Sequence, residues 1–227
     1  MAREFGPGGG KASSPGAASP EAPEEQAGTP EPKATPTTIP SSGTGVFTRA
    51  KGQGSGKGGG EQLLRYQVEV ENGIGITPGD AASEVDDILG HERGWTAEGK
   101  WKFRRTPGDE FDFIVRVATP ETADSICGEY GLDTGGEVNC RVGKSVVVNL
   151  KRWLLATETY KDDIPAYRAL IINHEVGHFL GYGHVGCPGK GKPAPAMMQQ
   201  IKGLEGCAPN VWPFDVRGRP ITGPERP

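Results

Sequence analysis

Three of the chain's four histidines stand within eleven residues, at His174, His178 and His184 of the stretch NHEVGHFLGYGH. His174 and His178 are four apart, so on a helix they share a face. Two imidazoles on neighbouring turns can meet at one zinc ion. Glu175 follows the first histidine, where it can reach a water held by the ion without ligating the ion itself. A third ligand further along the same face would recede from the metal, so the chain must turn back. Gly181 can leave a helix with positive φ at little cost, and His184 then returns to the ion. Three neutral imidazoles leave one position of a single catalytic Zn2+ open to water. The ion lowers that water's pKa, and Glu175 is placed to act as its general base. Imidazole also suits copper, iron and nickel, so a set of three histidines alone does not settle the metal.

The full pattern, H-E-x-x-H-x-x-G-x-x-H, fits at every fixed position and resembles the signature of the metzincin metalloproteases, which continues into a Met-turn. The stretch APAMMQQ supplies the methionine. Matching Ala196 to a small-x-Met pattern selects Met198, with Met197 as the alternative, and two methionines filling a core gap fit either choice. NHEVGHFLGYGH, PAMMQQIKGLEGCAPNVWPF and the order of strands and helices before them resemble, over about residues 60–220, a functionally undescribed family of metzincin-like domains from actinobacteria. Those domains are typically extracytoplasmic and come after a low-complexity linker. The resemblance implies a zinc-dependent endopeptidase acting on a protein or peptide, with Glu175 passing the water's proton to the leaving amine. An extended substrate would pair with an exposed strand edge, for which EVNCRV is the candidate. Trp212 and Phe214 either line a side-chain pocket or close the core. Two departures bear on this. Gln199 or Gln200 stands where several metzincins carry a tyrosine, and Val185 comes after the third histidine in place of the usual polar residues. The alternatives are a non-catalytic zinc-binding envelope domain and an interaction module binding another metal. Glu175 speaks against a purely structural site.

The elements that must position this stretch are set by periodicity. LLRYQVEVE (63–71), KWKFRR (100–105) and EFDFIVRVAT (110–119) alternate as strands, the second with Trp101 and Phe103 on one face. EVNCRV and KSVVVNL read as a strand pair around Gly143. TPGDAASEVDDILGHE reads as a helix capped by Thr77 with Pro78 at its first position, and PETADSICGEYG as a short helix ending near Gly128 or Gly131. Asp162 or Asp163 caps a helix over 164–181 whose buried face is Ile164, Tyr167, Leu170 and Ile171. Beyond Gly181 the chain is irregular and rich in Gly and Pro. The expected fold is α+β, metzincin-like, with a mixed twisted sheet, an active-site helix and an irregular C-terminal part that contains the Met-turn.

Composition divides the chain. Residues 1–60 are rich in Gly, Pro and Ser with almost no large apolar side chains, and such a segment reads as a disordered linker. Residues 61–227 form the expected domain. They carry nineteen Lys/Arg and twenty-four Asp/Glu, which argues against nucleic-acid binding. No apolar run approaches the roughly 18 residues of a membrane span. A monomer is expected. Cys127, Cys140, Cys187 and Cys207 lack C-x-x-C spacing. Of three pairings, proximity favours Cys127–Cys140 and Cys187–Cys207, and four buried thiols are the alternative. Disulfides imply an extracellular or envelope location. The first residues do not read as a signal peptide, so either an anchor or signal lies upstream or the thiols are free in the cytosol. No N-terminal cysteine could serve as a thiolate switch.

Overall fold

A computed structural model of the protein describes residues 38–226. Six strands form one mixed sheet: β1 (Phe47–Arg49), β2 (Gln62–Glu71), β3 (Trp101–Arg105), β4 (Phe113–Ala118), β5 (Cys140–Val142) and β6 (Ser145–Asn149). The order is β1-β2-β4-β6-β5, with β3 alongside the first half of β2. β2, β3, β4 and β6 are parallel, and β1 and β5 run antiparallel at the two ends. Four helices complete it: α1 (Pro78–Leu89), α2 (Pro120–Gly128), α3 (Leu150–Leu155) and α4 (Ile164–Phe179). The fold is α+β, as expected.

Alternation assigns the two faces of the sheet. Tyr66, Val68, Val70, Val115, Val117, Val146 and Val148 share a core with α1 and α4. Ala118, Val142 and Val147 pack with Ala123 and Cys127 of α2 on the opposite side. Thr77 caps α1, its hydroxyl accepting from the Asp80 amide at 3.1 Å. Asp163, rather than Asp162, caps α4, accepting from the Ala166 amide at 3.0 Å. Gly143 turns the β5–β6 hairpin at φ +52°.

Three expectations change. The disordered linker over 1–60 does not hold for 38–60; residues 1–37 lie outside the described residues. The order of 38–60 comes from backbone rather than side chains. β1 pairs with β2, the Gly54 amide donates to Arg105 O at 3.1 Å, and Lys57 and Phe103 exchange hydrogen bonds of 2.8 and 3.0 Å. Gly60 lies so close to Trp101 that a Cβ there would overlap its amide. Glycine is used here for close approach to a strand. The domain therefore includes the segment from residue 38 onward. Second, the run KSVVVNL does not end as strand: Asn149 caps α3 by accepting from the Lys151 amide at 2.9 Å. Third, α4 is buried around most of its circumference rather than on one face. The C-terminal residues Met197, Val211 and Phe214 join the same core.

One buried carboxylate ties the 43–45 segment to the sheet. Glu71 is 1 % exposed. It accepts from the Gly45 amide (2.7 Å), the Thr119 amide (2.8 Å), the Thr119 hydroxyl (3.0 Å) and the Thr122 hydroxyl (2.8 Å). Burial alone would push its pKa up, but these four donors outweigh it and hold the carboxyl below its usual range. A depressed folded-state pKa contributes stability above the unfolded value of about 4.3, lost as pH falls through the folded value. Glu71→Ala is expected to destabilise the domain by about 3 kcal/mol at pH 7, because it orphans buried donors. The gap from wild type should narrow below about pH 4 in urea melts. An unchanged gap at low pH would contradict the ionised assignment.

Candidate metal centre

The site begins at the exit from α4. The Gly181 amide donates to His178 O at 3.1 Å and the Tyr182 amide to Gly177 O at 2.9 Å, with Gly181 at φ +97°. This is a Schellman closure, which needs a residue able to adopt left-handed backbone. It also places the Tyr182 carbonyl 2.9 Å from His178 Nδ1. His174 Nδ1 lies 2.8 Å from Ala196 O. A carbonyl only accepts, so both Nδ1 atoms carry the proton and both Nε2 atoms present lone pairs.

Those lone pairs converge. His178 Nε2 stands 3.1 Å from His174 Nε2 and 3.0 Å from His184 Nε2. Nitrogen lone pairs this close repel unless a cation lies between them. Two nitrogens each about 2.0–2.1 Å from a tetrahedral zinc would stand about 3.3 Å apart. Donor type and spacing therefore fit a metal ion, and His174, His178 and His184 are the group that could hold one among the described residues. Burial, reinforced by the neighbouring imidazoles, pushes His174 down to about 3. Burial also lowers His178 and His184. Neutral imidazole is the form that ligates.

Glu175 is buried, and burial pushes its carboxyl up to about 8 against the opposing pull of Arg141. It lines a cavity of about 720 Å³ together with all three histidines, Tyr167, Leu170, Ile171 and Met198. Val138, Asn139, Cys140 and Arg141 form another wall, so the EVNCRV edge does border the site as strand β5 and the residues before it. Trp212 and Phe214 do not line this cavity. Trp212 stacks on His91 at 3.7 Å, and Phe214 packs edge-on against Trp95.

The two methionines have different places. A Cβ at Gly177 would overlap Met197 Sδ, so Met197 packs directly against α4 one residue before His178. Met198 instead forms part of the cavity wall. The methionine beneath the helix is thus Met197, the second choice on sequence pattern. Gln199 and Gln200 both line the cavity, and Gln200 also holds Pro195 O and Asn210 O through its amide nitrogen, at 3.1 and 2.7 Å. Arg141 was missed by sequence reasoning. Its only signal was its place between the inward-facing Cys140 and Val142 of a short strand, which turns it toward α4.

Both disulfides expected from proximity are present, Cys127–Cys140 and Cys187–Cys207. The first joins α2 to β5, and the second closes the loop after His184. Two disulfides fit an oxidising compartment. Among the described residues no helix is long and apolar enough to cross a membrane.

The third ligand is held by backbone. The Arg226 amide donates to His184 O (2.9 Å), the Val185 amide to Met197 O (3.2 Å) and the Gly186 amide to Pro224 O (2.8 Å). A Cβ on Gly223 would overlap Gly186 O. Gly223→Ala is expected to weaken zinc binding by about tenfold, the lower end of the usual effect of disturbing a ligand's support. Competition with a chromophoric chelator measures this. Unchanged affinity would mean that His184 keeps its place without the C-terminal segment.

No curated protein and no solved structure matches the chain. A family model described as "Protein of unknown function (DUF3152)" matches residues 33–215. That span ends just beyond Phe214. It includes the three histidines, Glu175 and both disulfides, and the chain belongs to the DUF3152 family.

Proposed function

We propose that this domain is a zinc-dependent endopeptidase of the metzincin kind, working outside the cytoplasm on protein or peptide substrates. The observation that carries the reading is the convergence of three imidazole Nε2 atoms beside a buried glutamate on the wall of a cavity. A structural zinc site is closed by four protein ligands. Here, among the described residues, His174, His178 and His184 would hold the ion, and all three border the cavity.

Zinc, when bound, supplies Lewis-acid polarisation of a carbonyl and of a water. The chain's own residues do the rest. Glu175 accepts a proton from the attacking water and returns it to the leaving nitrogen. A carboxylate beside the ion can do both, and Glu175 lines the cavity together with the histidines. Carbonyl partners at Nδ1 keep His174 and His178 in the ligating tautomer throughout. β5 ends the sheet, so one edge of its backbone is open to an extended peptide adding as a further strand. Tyr167, Leu170 and Ile171 give the cavity an apolar wall for a side chain.

The test is hydrolysis of a mixed fluorogenic peptide library by the zinc-loaded protein beside Glu175→Ala. Cleavage should fall by about 10²- to 10⁴-fold in the variant, the usual contribution of a general base, with zinc content unchanged. Zinc bound equally by two equally inactive proteins would instead favour a non-catalytic metal-binding domain.

A further inference from the structure

The cavity contains a cation, Arg141, that forms no ion pair among the described residues. Arg141 lies on β5, between Cys140 and Val142, which face the α2 side. Its own side chain therefore points to the α4 side and lines the cavity. A guanidinium has five N–H donors. Among the described residues Arg141 uses two, to Gly143 O at 3.4 Å and to His178 O at 3.2 Å. Its Nε is buried with no hydrogen-bond partner there. A buried polar donor left unmade is costly, and a charge more so.

Every nearby carboxylate is otherwise engaged or out of reach. Glu175 is close enough to feel the charge of Arg141, yet the two form no ion pair among the described residues. Asp133, the other acid on the cavity wall, turns back to accept from the Gly135 amide at 2.8 Å. The opposite wall adds a second cation, Lys202, whose ammonium reaches only the Gln199 side-chain oxygen at 3.0 Å. A metal ion would make the cavity more positive still.

We infer that Arg141 is the specificity-determining residue of this cavity and that it binds a substrate carboxylate. The inference rests on the peptidase reading for its setting and goes further in naming the substrate class. The two bonds to backbone carbonyls orient the guanidinium, and the one N–H left on each terminal nitrogen offers a carboxylate a charge-assisted bond. Two sources share that chemistry: an acidic side chain within the peptide, or the peptide's own C-terminal carboxylate. The first makes the enzyme selective for acidic sequences, and the second makes it trim chain ends.

The experiment uses zinc-loaded Glu175→Ala full-length protein, so that binding is read without turnover. Amidated peptides are paired, Glu against Gln at each position in turn, and the Gln series is repeated with a free C-terminal carboxylate. Calorimetry should show one Glu position, or the free carboxylate, binding about tenfold more tightly than its neutral partner. Adding Arg141→Met should erase that difference and Arg141→Lys should keep part of it, with zinc content equal in all three proteins. A purely structural arginine would leave the ratio of the paired affinities unmoved. No discrimination in the protein that keeps Arg141, discrimination that survives Arg141→Met, or no binding of any peptide overturns the inference. Cleavage of the same peptides by the protein with Glu175 intact is scored separately. Cleavage without discrimination defeats the carboxylate assignment alone, whereas discrimination that depends on Arg141 without cleavage defeats the peptidase reading alone.

Discussion

Three imidazole nitrogens held within about 3 Å of one another along the His174–His178–His184 series are the constraint around which the molecule is arranged. His174 and His178 face each other with lone pairs at 3.1 Å, an arrangement that a cation between them would stabilise. A helix supplies two of the three without effort, since residues four apart share a face. The third requires the chain to reverse within six residues, and Gly181 makes this sterically cheap. The same reversal delivers the Tyr182 carbonyl to His178 Nδ1. One backbone turn therefore sets both where the third ligand comes from and which tautomer the second adopts.

Holding α4 rigid is the next requirement, and it explains burial that the metal site alone would not demand. The sheet covers one side. On the other, Trp95 donates its indole N–H to Asn173 O at 2.9 Å, and Asn173 donates its side-chain amide to Val211 O at 3.1 Å. Met197 fills the space left by Gly177. The segment after α4 has little regular structure, so side-chain amides stand in for a ladder. Gln200 and Asn210 together hold the carbonyls of Pro195, Asn210, Ala194 and Trp212. Tyr160 closes this network by donating to Gln200 Oε1 at 2.7 Å. Cys187–Cys207 then limits how far the loop after His184 can open, in the unfolded chain as in the folded one.

Much of this was legible in the residues. Strict alternation marked β2, β3 and β4, because each strand buries its apolar side chains on one face at period two. Thr77 with Pro78, and the pair Asp162 and Asp163, marked helix starts by cap chemistry. The ligand set was legible because its spacing is itself the geometry. The features that escaped did so for physical reasons. The order in 38–60 is carried by backbone groups and by glycines that permit contact, so a count of apolar side chains missed it. α3 escaped because it follows β6 with no intervening turn, and only the side chain of Asn149 signals the change from strand to helix. The choice between Met197 and Met198 depends on which faces Gly177, a tertiary fact that a small-x-Met pattern does not contain.

Gln200 ties the C-terminal segment together at the border of the site. It lines the cavity, and its side chain is committed to Pro195, Asn210 and Tyr160. The space beside the histidines is bordered by Glu175 and by the two walls of the cavity, one from the sheet edge and one from the turn after Met198. Each wall brings a cation, Arg141 and Lys202. Under the proposed function, a substrate entering between them would meet positive charge on both sides before it reached the histidines, so the charge pattern of the walls would act on selection and the buried glutamate on chemistry.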